Sequence, residues 1–138
     1  MDLITPFLAS VPNDEPDVIV LRCADPLHFD PTALNALCAK KGIEEAEEVV
    51  CRVLEDIAMR LDILQQGRDD SRFDLMFKPA RRIGLVAGQI GLTEVSAAAG
   101  HVVICLQQMD GIALEATMAR LERAFDVAIS EIWNHRML

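Results

Sequence analysis

The sequence predicts an all-α protein, an up-down four-helix bundle with an additional short N-terminal helix and an irregular N-terminal arm. Three observations carry that prediction. Apolar residues make up 51% of the 138, while aromatics make up 4% and Tyr is absent. A core of this kind is built from Leu, Ile, Val, Ala and Met, which suits packed helices better than a sandwich of sheets. Beyond residue 30, apolar residues recur at spacings of three and four, the period of a helix with one buried face. The breaks between these stretches are short, so successive helices are antiparallel neighbours.

The arm covers residues 1–29. Pro6, Pro12, Pro16 and Pro26 forbid one long helix there. Its charged residues are Arg22 against Asp2, Asp14, Glu15, Asp17 and Asp25. Val18–Leu21 is apolar and β-branched and reads as an extended segment or a short helical turn laid on the bundle.

The bundle covers residues 30–138. Asp30 is a good helix N-cap, Pro31 suits the first helical position, and Gly42 after Lys40 and Lys41 is a C-terminal stop. Leu34, Leu37 and Cys38 form the inward stripe of this first helix. The second runs from about Glu44 to Gln66, with Ile43, Ala46, Val50, Val53, Leu54, Ile57, Leu61 and Leu64 inward. Glu44, Glu45, Glu47 and Glu48 sit in its first turns, where the helix dipole favours negative charge. The segment Gly67–Ser71 is the expected break. The third helix covers about Arg72 to Ile90, with Phe73, Phe77, Ala80, Ile83, Ala87 and Ile90 inward. Pro79 should kink it or mark its true start. Gly84, Gly88 and Gly91 lower helix propensity, which points to close approach by another helix or by a partner.

The fourth helix is Leu92–Gln108, with Thr93 as a cap and Val95, Ala99, Val102, Leu106 and Met109 on one face. Between Glu94 and Asp110 there is no charged carboxylate, Lys or Arg, and Val103 and Ile104 fall off the main stripe. The arm through Val18–Leu21 is the expected cover for this excess, with a homodimer interface as the alternative. Asp110–Gly111 makes the next turn. The fifth helix runs to about Trp133, with Leu114, Met118, Leu121, Phe125, Ala128 and Ile132 inward.

Composition excludes several function classes. A net charge of −9 argues against nucleic-acid binding, which needs a basic surface. Cys23, Cys38, Cys51 and Cys105 include no C-x-x-C pair, and no His–Cys spacing suits a metal, so no cofactor or metal is expected. No apolar run approaches the ~20 residues that span a bilayer. The N-terminus lacks the basic region of a signal peptide, and the cytoplasm is the simplest compartment.

The third helix carries the informative segment, Ala80-Arg81-Arg82-Ile83-Gly84-Leu85-Val86-Ala87-Gly88-Gln89-Ile90-Gly91. Together with the order of helices around it, this stretch resembles the histidine phosphotransfer (Hpt) domains of bacterial phosphorelays, whose pattern there is roughly A-H-x-L-K-G-x-x-[AG]-x-[LIF]-G. Ala80, Ile83, Gly88, Ile90 and Gly91 match, and the resemblance covers about residues 30–134. It implies a bundle of Hpt type and a partner that is a response-regulator receiver domain or a sensor kinase. The departures fall on the chemistry. The family's phosphate-carrying His is replaced by Arg81, its supporting Lys by Gly84, and the following Gly by Leu85. A guanidinium is not a phosphate carrier like imidazole, so no catalytic residue is expected.

Binding is a separate matter. Residues 68–92 hold Arg68, Arg72, Lys78, Arg81 and Arg82 against Asp69, Asp70 and Asp74, a net-basic stretch in an acidic chain. Lys78, Arg81 and Arg82 share one helix face by spacing, complementary to the acidic phosphorylation pocket of a receiver. The expected partner-binding set is Lys78, Arg81, Arg82, Gly84, Leu85, Gly88 and Gln89. The function expected is a non-catalytic Hpt-like interaction module. The alternatives are phosphotransfer through a non-standard histidine, His101, or a purely structural or oligomerising bundle. An exposed, mid-helix Arg81 fits docking; burial against Glu55 or Asp62 would make it a structural ion pair.

Overall fold

The computed structural model describes residues 30–137, so the arm and its Val18–Leu21 segment lie outside the described residues. Among the described residues five helices follow one another: α1 (Pro31–Lys41), α2 (Ile43–Asp69), α3 (Phe77–Gln89), α4 (Thr93–Gln108) and α5 (Gly111–Met137), with a 3-10 turn at Phe73–Leu75 before α3. No strand occurs among the described residues. Successive helices pack side by side, with α3 between α2 and α4, and α1 lying against α2. The arrangement is compatible with a four-helix bundle plus one extra helix.

Local chemistry explains most boundaries. The Asp30 carboxylate accepts the Thr32 N–H at 2.9 Å and Pro31 opens α1. Gly42 ends α1 with φ 90°, and its N–H donates to the Cys38 carbonyl at 2.9 Å. A residue with a Cβ would be strained in that backbone. Asp110 caps α5 by accepting the Ala113 N–H at 3.0 Å.

Other boundaries differ from expectation. Helix α2 runs through Gly67 to Asp69, because Gly67 is a packing position rather than a break. It is buried, and a Cβ there would lie 2.7 Å from Cγ of Met76. The chain reverses later, at Ser71 with φ 55°, and the Arg72 N–H folds back to the Gly67 carbonyl at 2.8 Å. Pro79 lies in the first turn of α3, where its missing N–H has no helical acceptor to lose. It marks the start of the helix and produces no kink. Thr93 is exposed and does not cap α4; the cap position is the buried Leu92, without a side-chain bond.

The core is one cluster in which Ile57, Leu64, Met76, Ile83, Val102 and Leu121 are fully buried. The inward stripe of α5, Leu114 to Ile132, is buried throughout as expected. Three residues expected on the inward stripes are exposed instead. Ile43 is exposed, Phe73 is 42% exposed and Met109 87% exposed. Each sits at or beyond a helix end, where the period no longer governs direction. Val103 packs half-buried on the core, whereas Ile104 is exposed.

Two positions with positive φ give opposite expectations. Met109 closes α4 in the left-handed region at φ 56° with its side chain in water. Met109→Gly should therefore raise stability by about 1 kcal/mol in urea denaturation. Gly91 also has positive φ, 82°, and a Cβ there would lie 2.5 Å from the Asp30 carbonyl oxygen. Gly91→Ala should cost about 2 kcal/mol or more in the same assay.

Candidate docking face on the third helix

Helix α3 presents three directions. Pro79, Ala80, Ile83, Val86 and Ala87 point into the core. Gly84 faces α4, where a Cβ would lie 3.7 Å from the Ala99 Cβ, and the Ser96 hydroxyl donates to the Gly84 carbonyl at 2.9 Å. Arg82 leans the other way, its Nε 4.0 Å from the Asp56 carboxylate on α2. Arg81 is about 200° around the helix from Ile83 at 100° per residue, so it stands on the crest, directed at solvent. Lys78, Arg81, Leu85, Gly88 and Gln89 are all exposed along this crest, Leu85 at 56%. The structure thus brings the seven expected residues onto one outward surface, with Gly84 half-buried at its α4 edge.

Arg81 is exposed and is the fifth of the thirteen residues of α3. Among the described residues it makes no ion pair or hydrogen bond with Glu55 or Asp62; its guanidinium carbon lies 5.8 Å from the centre of the Phe77 ring. That i, i+4 cation–π contact orients the side chain along the helix while leaving its charge in water. The carboxylate pair belongs to its neighbour Arg82, through Asp56, which also holds Arg60 at 3.0 Å.

The net-basic stretch is largely neutralised locally. Arg68 bridges Asp69 at 3.4 Å and Glu122 at 3.6 Å, and Gln65 also donates to Glu122, tying α2 to α5. Arg72 pairs with Asp74 through two bonds of 3.1 Å. That bonding raises the Arg72 pKa further and holds the Asp74 carboxyl below the usual carboxylate range. Among the described residues, Lys78 and Arg81 have no ion pair. The basic face reduces to these two cations, with Arg82 half-committed to α2.

His101 is not part of this surface. It is exposed on α4, five residues beyond Ser96, and so about 140° around the helix from the side that meets Gly84. It makes no hydrogen bond or ion pair among the described residues. An imidazole used in proton or phosphate chemistry needs positioned partners. No cluster of three metal-ligating side chains occurs among the described residues, and no described helix is long and apolar enough to cross a membrane.

Sequence reasoning missed three participants. The Asp56–Arg82 pair joins two helices, and no local spacing announces it. Ser96 is visible only as a small polar residue in an apolar helix. Phe77 was assigned inward and is half-buried, although its spacing of four from Arg81 was a usable signal.

Comparison with known proteins adds little at this site. No family model matches the chain, and no solved structure matches it. Among curated proteins the chain is similar to glutamate–tRNA ligase 1 of Parvibaculum lavamentivorans (strain DS-1), 44% identical over 54 residues. That match covers 39% of this chain and 12% of the ligase, a local likeness that shows neither family nor activity.

The room beside Gly84 has a consequence. Its absent Cβ would meet α4 only at ordinary van der Waals distance, so the glycine lowers helix propensity without being required by packing. Gly84→Ala should raise the thermal midpoint, by up to about 1 kcal/mol in stability.

Proposed function

We propose that this chain is a non-catalytic, Hpt-like interaction module of two-component signalling, docking a receiver or kinase domain through the crest of α3 without relaying phosphate. The observation that carries the reading is Arg81, exposed at mid-helix where the Hpt pattern has its histidine. With the exposed Lys78 and Leu85 it forms two cations, neither ion-paired among the described residues, beside an apolar side chain, a surface suited to an acidic pocket with an apolar rim. The absence of a phosphorylatable side chain at position 81, and of a Lys at position 84, supports binding without transfer. His101, exposed and without a hydrogen bond or ion pair among the described residues, gives little support to an active phosphotransferase.

Calorimetry against the receiver and kinase domains encoded in the same genome tests the reading. One partner should bind with a Kd on the order of micromolar, and Arg81→Glu with Lys78→Glu should weaken it about tenfold or more, at least about 1.4 kcal/mol. The thermal midpoint of that variant should stay near wild type, because neither residue holds an ion pair among the described residues. A panel without a binder, or a binder indifferent to both substitutions, leaves the structural bundle as the better account. Acid-labile phosphate at His101 after incubation with acetyl phosphate would overturn the non-catalytic assignment.

A further inference from the structure

The chain that precedes the bundle is tethered at one end of the α3 crest. The Asp30 N–H donates to the Gly91 carbonyl at 2.6 Å, just past the end of α3. Residues 1–29 therefore depart from the C-terminal end of that crest. Read back from Gly91, the crest presents Leu85, 56% exposed, then the exposed Arg81 and Lys78. At 1.5 Å per residue these stand roughly 9, 15 and 20 Å from the tether. Read back from Asp30, the arm presents Leu21 to Val18, then Asp17, Glu15 and Asp14. On both, apolar residues come first and charges second, and the charges are opposite in sign.

Reach and charge both fit. Asp17 stands thirteen residues before Asp30. A chain of that length has an r.m.s. span of about 20 Å even as a random coil, which is the distance to Lys78. The arm holds five carboxylates against Arg22, while neither Lys78 nor Arg81 is ion-paired among the described residues. Of the carboxylates around the crest, Asp56 is held by Arg60 and Arg82, and Asp74 by Arg72 through two bonds. Glu94 is exposed at the start of α4, at the tether end rather than beside Arg81. Tethering places the arm at an effective concentration on the order of millimolar, so a weak contact suffices to fill the crest.

We propose that the arm folds back along α3, with Val18–Leu21 on Leu85 and the carboxylates of Asp14, Glu15 and Asp17 on Arg81 and Lys78, so that the chain covers its own docking face. The contact stands on tether, order and charge; its regulatory consequence rests on the reading of that crest as a docking face. A partner must displace the arm, and its apparent affinity falls with the fraction of chains whose crest is open.

The test is NMR on the full chain, comparing wild type with Asp14→Asn/Glu15→Gln/Asp17→Asn and with Lys78→Glu/Arg81→Glu. The first variant should shift the amide resonances of Lys78, Arg81 and Leu85, and the second those of residues 14–21. Raising salt from about 0.1 M to about 1 M shortens the screening length from about 10 Å to about 3 Å, so the wild-type crest should move toward the first variant. An acetylated, amidated peptide of residues 14–22, added in trans, should bind the first variant at Leu85 and Arg81. It should bind wild type about threefold or more weakly, because there the crest is occupied. These readouts need no receiver, so they stand apart from the panel that tests docking. A receiver or kinase found by that panel should bind the first variant about threefold or more tightly. The proposal is overturned if either variant leaves the other segment's resonances unchanged, or if the first variant shifts Ile104 on α4 instead of the crest. It is overturned equally if the peptide or an identified partner does not distinguish wild type from the first variant. It also fails if the mutual shifts vanish on dilution and sedimentation shows a dimer, because the arm then covers a second copy.

Discussion

Everything on this molecule is arranged around the burial of α3 between α2 and α4. Its inward residues Ala80, Ile83 and Ala87 are fully buried, and the facing position on α4 is the equally buried Ala99. Small side chains let helix axes approach closely, and the contact then depends on many weak dispersion terms rather than a few large ones. The same geometry fixes what is left outside. A helix buried on one side and flanked on two others has only a narrow crest for solvent, and the crest of α3 holds Lys78, Arg81 and Leu85. The candidate docking face is the remainder of a packing solution.

That solution is pinned at one end of α3 by a backbone hydrogen bond and at the other by a side chain packed on a glycine. At the C-terminal end the Asp30 N–H donates to the Gly91 carbonyl at 2.6 Å, fastening the start of α1 to the end of α3. At the N-terminal end Met76 lies on Gly67 so closely that no larger residue fits without movement. Between these points Arg82 reaches Asp56, and the hydroxyl of Ser96 satisfies the Gly84 carbonyl. The polar contacts at the surface are individually small, but they take up most of the basic charge around α3. Among the described residues, what remains without an ion pair on this face is Arg81 and Lys78, so its electrostatic character rests on two side chains rather than five.

Much of the helix order was legible because it depends on local signals. Asp30-Pro31, Gly42 and the position of Pro79 act through backbone geometry and capping within a few residues. The stripe of α5 was legible because a 27-residue helix repeats its period many times. Errors clustered at ends. Phe73 and Met109 continue the apolar spacing of their neighbours but lie in a 3-10 turn and a left-handed residue, so the rotation that the period assumes has stopped. Gly67 looked like a terminator because glycine disfavours helices, and tertiary packing against Met76 overrode that preference. The candidate set was legible as one face by spacing alone, yet the charge of the stretch around it was overestimated, because Glu122 for Arg68 and Asp56 for Arg82 come from other helices.

By itself the sequence determined the helical class, the order of five helices, the capped start of α1 and the shared face of Lys78, Arg81 and Arg82. Those are consequences of spacing, capping and backbone restriction, all short-range. Only the tertiary structure decided that Arg81 stands free while Arg82 turns to Asp56, that Gly67 and Gly91 are places of close approach, and that Met109 is left in water beside a cavity. Each of these depends on which side chains two distant segments bring together, and residue spacing along one helix carries no information about that.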